Sequence, residues 1–227
     1  MRLYRTGILS THALRTVAPR EGDWSLPVDA VAPTINIRGD SIALGPFHPQ
    51  QVEHLCRWFN DYGVIRNWAF LPGPRIVENV RKAFEPGEIF DPSESVVFAI
   101  YETASWGLVG FTGLVHVDHI ERFGEFFIMI GDQQNRGRGF GTEATRLLLD
   151  HAFLGIGLSN VNLRVFEYNL AGIRAYERAG FQRIGVRRKS KFMGGKMWDT
   201  VLMDAIADDF TSSVLAHVLV PDRPGPV

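Results

Sequence analysis

The sequence has little cysteine, no long apolar run and almost no net charge. A single cysteine in 227 residues excludes an internal disulfide framework and suits a reducing compartment, so we expect a cytoplasmic protein. No apolar run approaches the roughly 20 residues that span a bilayer, and none forms the core of a secretory signal. The formal net charge of −1 favours neither nucleic acid nor an anionic membrane as a partner.

The chain contains enough apolar residues to form a sizeable core. Hydrophobic residues make up 45% of the sequence, which is typical of one globular domain with extensions at this length. We predict a domain over residues 35–210, an N-terminal extension over residues 1–34 and a C-terminal tail over residues 211–227. The extension mixes Arg, Thr, Pro and Gly, and we expect an arm that packs on the domain or on a second subunit of a homodimer.

The order of apolar patterns along the domain predicts its fold class. Alternating and helical spacings follow each other as β-α-α-β-β-β-α-β-α-β-β. Two strands over residues 95–101 and 106–117 form a hairpin, and two more over residues 181–187 and 197–203 close the domain. Such an order indicates a mixed α/β sheet with helices on both faces.

The strongest functional signal is a glycine-rich corner between a strand and a helix. An apolar strand covers residues 125–132, and helical spacing runs over residues 142–153. The stretch between them carries glycine at every second position, as Gly137, Gly139 and Gly141. The glycines therefore lie where the chain leaves the sheet and enters a helix.

A corner of this kind is suited to binding an anion. The first N–H groups of a helix lack intrahelical partners, and together with the helix dipole they attract negative charge. Glycine has no Cβ, so a phosphate group can approach the main chain closely. Arg136 and Arg138 add positive charge at the same place. We therefore predict that the main-chain N–H groups of residues 137–142 bind a pyrophosphate.

The spacing of the glycines argues against two common phosphate-binding motifs. The corner has no Gly-Lys-Ser/Thr ending, so a P-loop is excluded. It also lacks the G-x-G-x-x-G spacing of a dinucleotide fold and the acidic residue expected about 20 residues later. It resembles instead the acetyl-coenzyme A signature of GNAT-type N-acetyltransferases, Gln/Arg-x-x-Gly-x-Gly/Ala, which is matched by Arg136, Gly139 and Gly141.

Further segments strengthen this resemblance, which extends from about residue 35 to residue 210. Residues 169–181 are similar to the family's Asn-x-x-Ala-x-x-x-Tyr-x-x-x-Gly-Phe block. Gly124-Glu125 before the corner and the strand over residues 199–203 resemble the branch of ribosomal-protein alanine acetyltransferases (RimL-like).

The resemblance implies a fold and an activity. The fold would be α/β (α+β), with a mixed, mostly antiparallel central sheet and a splayed pair of strands that holds the coenzyme. The activity would be transfer of acetyl from acetyl-CoA to a primary amine of a small molecule or peptide, by direct attack in a ternary complex. Two alternatives stay open: a GNAT enzyme that uses a longer acyl-CoA or an acyl carrier protein thioester, and a catalytically silent module that senses coenzyme A.

Acyl transfer to an amine needs a base for the amine proton and an acid for the departing thiolate. Glu125, beside the corner, is the predicted base, with His116 and Asp199 in reserve. The alternative is a Glu125 that merely satisfies a local charge partner. The resemblance implies that the hydroxyl of Tyr176 faces the coenzyme sulfur, and a phenol with an ordinary pKa of about 10 can protonate a thiolate. The alternative there is a tyrosine of the core.

The remaining predicted contacts are with the coenzyme. Asn169 is expected to cap a helix and, by resemblance, to contact the pantetheine arm. A main-chain N–H near Met129 or Ile130 is expected to hold the oxyanion. The full predicted coenzyme-binding set, with no metal, is Met129, Ile130, Arg136, Gly137, Arg138, Gly139, Phe140, Gly141, Thr142 and Asn169.

Overall fold

A computed structural model describes residues 33–68, 73–212 and 214–219 of the chain. Nearly all of the predicted N-terminal arm therefore lies outside the described residues, and so does the end of the predicted tail. The division of the chain at residues 34 and 210 stays a prediction.

The described residues form eight strands and six α-helices. The strands are β1 (Ile37–Arg38), β2 (Ile42–Pro46), β3 (Val96–Glu102), β4 (Leu108–Asp118), β5 (Phe123–Ile130), β6 (Asn160–Phe166), β7 (Gln182–Met193) and β8 (Lys196–Ile206). The helices are α1 (Val52–Phe59), α2 (Tyr62–Ile65), α3 (Val77–Lys82), α4 (Phe140–Asp150), α5 (Leu170–Ala179) and α6 (Leu215–Val218). Within the described ranges, none of the helices combines the length and the apolar character needed to cross a membrane.

All eight strands belong to one sheet, in the order β1-β2-β3-β4-β5-β6-β8-β7. Every neighbouring pair is antiparallel except β5 and β6, which run parallel. Apolar side chains cover both faces of the sheet, because alternate residues of a strand point to opposite sides. One buried cluster joins β5 and β6 to α4, and a second joins α1 to β4 and β5. The predicted mixed, mostly antiparallel sheet with helices on both faces is confirmed.

The parallel pair is the feature that creates a site. Residues 123–125 of β5 pair with residues 160–162 of β6, and no pairing of these two strands continues beyond them. Each strand remains paired on its other side, β5 with β4 up to Ile130 and β6 with β8 up to Phe166. The two strands therefore part after Glu125, as the predicted splayed pair requires.

Two details differ from the sequence interpretation. The sequence predicts that residues 61–63 end the first helix, yet the chain starts α2 at once because the Asp61 carboxylate accepts a hydrogen bond from the Gly63 N–H (2.7 Å). Within the predicted tail, α6 is a docked helix. The buried carboxylate of Asp150 accepts hydrogen bonds from the N–H groups of Val214 (2.9 Å) and Leu215 (3.2 Å), which fixes the start of α6 on the end of α4.

Candidate active site

A cleft of about 420 Å³ lies at the opening between β5 and β6. Its walls are the end of β5, the glycine-rich corner, the first turn of α4, one face of α5 and the end of α2. The two motifs that the sequence analysis singled out, the glycine-rich corner and residues 169–181, thus border the same space.

The glycine corner has the backbone geometry that only glycine adopts readily. Gly137 and Gly139 have φ angles of +75° and +89°, in the left-handed region that disfavours residues with a Cβ. No atom lies within 4 Å of the position that a Cβ would take at either residue. The space in front of the corner is therefore open to a ligand. Gly139 is also the N-cap of α4, and no side chain caps this helix start.

The main-chain N–H groups of the corner are available for an anion. None of the N–H groups of residues 137–142 donates a hydrogen bond to a described residue, and the first that does is that of Glu143, to the Gly139 carbonyl oxygen (3.1 Å). Gly137, Gly139, Gly141 and Thr142 all line the cleft. A row of unpartnered N–H groups at a helix start has the properties of a phosphate-binding site.

The guanidinium groups of the two arginines of the corner both have partners within the protein. Arg136 lines the cleft, but its guanidinium donates hydrogen bonds to the carbonyl oxygens of Gly63 (3.0 Å) and Gly131 (2.9 Å), so it clamps α2 to the end of β5. Arg138 forms an ion pair with Glu102 on β3 and does not line the cleft. That the Arg138 side chain adds positive charge to the phosphate-binding corner stays a prediction.

Phe140 and two further arginines complete the comparison with the predicted set. The Phe140 side chain is buried in the core and lies against the Arg138 guanidinium, 4.4 Å from the ring centroid, so only its main-chain N–H can serve a ligand. Arg174 and Arg178 line the cleft, and neither forms an ion pair with a described residue. The sequence analysis missed both, although their spacing of four residues on α5 places them on one helix face.

The pairing of β5 identifies which N–H groups face the opening. Gly131 donates its N–H to the Val109 carbonyl oxygen on β4 (3.0 Å). In an antiparallel strand the N–H groups of alternate residues point toward the same neighbouring strand, so the N–H of Met129 also faces β4. The N–H groups of Ile128 and Ile130 consequently face the opening. Of the two predicted oxyanion donors, Ile130 therefore has an N–H that faces the opening and Met129 does not. Ile128 is an addition that sequence could not supply, and the role of oxyanion donor stays a prediction.

Tyr176 combines a fixed ring with an uncommitted hydroxyl. Its ring packs edge-on against Phe126 (5.8 Å between centroids) and Phe181 (6.1 Å). The residue lines the cleft, and its hydroxyl makes no hydrogen bond to any described residue. Burial raises the pKa of Tyr176 to about 12. The hydroxyl is therefore protonated at neutral pH and is positioned as a donor.

Asn169 has the predicted capping role and also reaches the cleft. Its Oδ1 accepts a hydrogen bond from the Gly172 N–H (3.0 Å), which caps the start of α5. Asn169 and Gly172 both line the cleft, so the cap fixes the helix that carries Tyr176 against the opening. Contact of Asn169 with a coenzyme arm stays a prediction.

Glu125 lies at the vertex where β5 and β6 part, but outside the lining of the cleft. Its Oε1 accepts a hydrogen bond from Nε of Arg164 on β6 (2.8 Å) and lies 2.7 Å from Nη2 of the same guanidinium in an ion pair. Its Oε2 lies 3.6 Å from Nδ1 of His116 on β4. The charge partner that the sequence analysis named as the alternative is present. The role of base stays a prediction, and it has to be exercised through Oε2.

The reserve candidate Asp199 is committed to the fold. Its Oδ1 accepts a hydrogen bond from the Lys189 N–H (2.8 Å) at a bulge of β7. Asp199 does not line the cleft.

Comparisons with known proteins agree with this geometry. A probable N-acetyltransferase of Bacillus subtilis (strain 168) is 31% identical over 124 residues, which are 54% of this chain and 68% of that protein. The spermidine N(1)-acetyltransferase of Escherichia coli (strain K12) is 27% identical over 163 residues, which are 72% of this chain and 84% of that enzyme. The crystal structure of spermidine N-acetyltransferase from Vibrio cholerae in complex with CoA and spermine has a TM-score of 0.68 at 19% identity, covering 75% of this chain and 98% of that chain.

The family assignment rests on a match to a protein family as a whole. Residues 42–182 match the family described as the acetyltransferase (GNAT) domain, which is more than half of the chain and includes both motifs of the cleft. The narrower resemblance to the RimL-like branch stays a prediction. The chain belongs to the GNAT family of acetyltransferases and is an N-acetyltransferase.

Proposed function

We propose that the protein transfers an acetyl group from acetyl-CoA to a primary amine by direct attack in a ternary complex. One observation carries the proposal: the unpartnered N–H groups of residues 137–142, the opening after Glu125 and the hydroxyl of Tyr176 border one cleft. The corner suits a diphosphate, and the opening leads from the corner to the hydroxyl. Bound acetyl-CoA supplies an activated thioester carbonyl carbon.

The residues of the chain have separate tasks in this reaction. The N–H groups of the corner bind the diphosphate and so fix the position of the thioester. The N–H groups of Ile128 and Ile130 stabilise the negative charge that develops on the carbonyl oxygen. Tyr176 gives its proton to the departing sulfur, while Glu125 accepts the proton that the attacking nitrogen loses, directly or through water.

The lining of the cleft bears on the acceptor. Spermidine, which the names of the Escherichia coli and Vibrio cholerae enzymes give as their substrate, is a polycation, and carboxylates are the groups that complement a polycation. The charged side chains among the described lining residues are Arg136, Arg174 and Arg178, with no Asp or Glu. The lining at the end of α2 is neutral, with Asn67 and Trp68. We therefore propose that the acceptor is an amine of low positive charge rather than a polyamine.

Steady-state kinetics of thiol release test the function. We expect turnover with acetyl-CoA and at least one monoamine or peptide N-terminus, with intersecting initial-velocity patterns, and weaker turnover with spermidine. Parallel patterns would contradict direct attack. Tight binding of coenzyme A without turnover for any amine would favour the sensor. Faster turnover with longer acyl-CoA or with an acylated carrier protein would favour the other alternative.

The arginines offer a test of how the coenzyme is bound. We expect Arg178→Ala to weaken coenzyme A binding about 10-fold, because a hydrogen bond to a charged group contributes roughly 1.5–3 kcal/mol. Arg138→Ala is the matched control and should change the dissociation constant less than about twofold, because Glu102 already binds that side chain. Isothermal titration calorimetry measures both. Equal losses of affinity for coenzyme A in the two variants would support the predicted role of Arg138 in binding the coenzyme.

A further inference from the structure

His116 occupies an unusual backbone position beside the vertex of the splayed strands. The register between β4 and β5 shifts between Val115 and Asp118, which is a β-bulge, and His116 lies inside it. Its φ angle of +52° is in the left-handed region, which few residues other than glycine adopt. Bulges re-aim side chains, and strained positions of this kind concentrate at functional sites.

The bulge brings the imidazole of His116 close to Oε2 of Glu125, the carboxylate oxygen that Arg164 does not contact. Nε and Nη2 of Arg164 both contact Oε1, whereas Nδ1 of His116 lies 3.6 Å from Oε2. The Glu125 side chain is 21% exposed and that of His116 is 68% exposed. The pair therefore connects the half-buried vertex with solvent.

The other carboxylates of described residues near His116 form no ion pair with it. Asp118 on the same strand accepts hydrogen bonds from the N–H groups of Ile120 and Glu121 (2.8 Å each). Glu94, on the chain segment next to this part of β4, contributes its main-chain carbonyl oxygen to Val117 (2.9 Å). Within the described ranges, Glu125 provides the only carboxylate at ion-pair distance from the imidazole.

We propose that His116 carries the amine proton from Glu125 to solvent, a step that rests on the proposed function. When the nitrogen attacks, its N–H bond breaks and an O–H bond forms at Oε2 of Glu125. This bond then breaks as an N–H bond forms at Nδ1 of His116, and the proton on Nε2 leaves to water. An imidazole has two ring nitrogens, so it can take up a proton at one nitrogen and release a proton from the other. His116 is thus a relay and positioning residue that acts through Glu125.

Replacement of His116 by glycine tests the relay. Glycine accepts the left-handed backbone, so His116→Gly should fold with an unchanged or higher melting temperature. We expect kcat to fall at least about 10-fold with coenzyme A binding unchanged, and free imidazole added to the buffer to restore a large part of the rate. His119→Gly, an exposed histidine of the following turn, is the control and should keep its rate and show no imidazole effect.

Each result decides between the relay and a structural role. An unchanged kcat in His116→Gly overturns the relay, and so does a reduced kcat that imidazole fails to restore. In both cases an active wild-type enzyme leaves the proposed acetyl transfer standing. A wild-type enzyme without turnover for any amine overturns the proposed function, and the relay with it.

Discussion

Replacement of Gly139 by alanine is expected to weaken coenzyme A binding by roughly 10- to 100-fold. Gly139 has a φ of +89°, and a left-handed residue with a Cβ costs about 1–2 kcal/mol. Relaxation of this strain rotates the N–H groups at the start of α4 away from the diphosphate. Loss of one hydrogen bond to a charged group costs roughly 1.5–3 kcal/mol, which corresponds to the expected change in affinity. Isothermal titration calorimetry with coenzyme A measures the change.

Gly157→Ala separates backbone strain from ligand binding. Gly157 has a φ of +83°, no atom within 4 Å of its Cβ position and no place in the lining of the cleft. Both variants should lose a similar free energy of unfolding, of about 1–2 kcal/mol. Affinity for coenzyme A should fall in Gly139→Ala alone. Equal affinities in the two variants would show that the corner does not bind the diphosphate.

Local sequence signals were sufficient for the elements and for the corner. The glycine spacing, the Asn169 cap and the alternation in β5 and β6 depend on neighbours within a few residues, and the structure contains each of them. The mixed sheet followed from the order of these elements, because a parallel pair in the sheet requires a helical crossover such as α4. Fold class was therefore predictable in full.

Side-chain partners across the sheet were not predictable in the same way. Arg138 forms an ion pair with Glu102, and Glu125 forms one with Arg164, although the partners of each pair are far apart in sequence. A single sequence gives the charge of such residues but not the register that brings them together. The orientation of the Ile128 N–H depends on the same register, so the oxyanion donor could be placed only to within one residue.

Replacement of Tyr176 by phenylalanine is expected to lower kcat about 100-fold or more and leave coenzyme A binding unchanged. General acid catalysis contributes at least this much, and the change removes only the hydroxyl. The pKa of about 12 lies above the ordinary value of about 10, so the folded enzyme keeps the donor protonated. The wild-type rate should therefore show no loss from ionisation of this tyrosine up to about pH 10. A steady-state assay at a series of pH values measures both the fall in kcat and the pH dependence of the rate.

Tyr101→Phe makes the same chemical change at a site remote from the cleft and should give the opposite pattern. The Tyr101 hydroxyl accepts a hydrogen bond from Nε2 of Gln51 (2.6 Å), and burial raises the pKa of this tyrosine too. Its removal leaves a buried donor unsatisfied, which costs about 1–3 kcal/mol of stability, while kcat should change less than about twofold.

The Tyr176 hydroxyl has no partner among the described residues, so its removal should cost little stability below about pH 10. Above that pH the tyrosine ionises in the unfolded state before it ionises in the folded state, so the free energy of unfolding of the wild type falls. The Tyr176→Phe variant has no hydroxyl to ionise, so its free energy of unfolding should fall less. A Tyr176→Phe enzyme that is unstable but catalytically normal would make this tyrosine a core residue and remove the proposed acid.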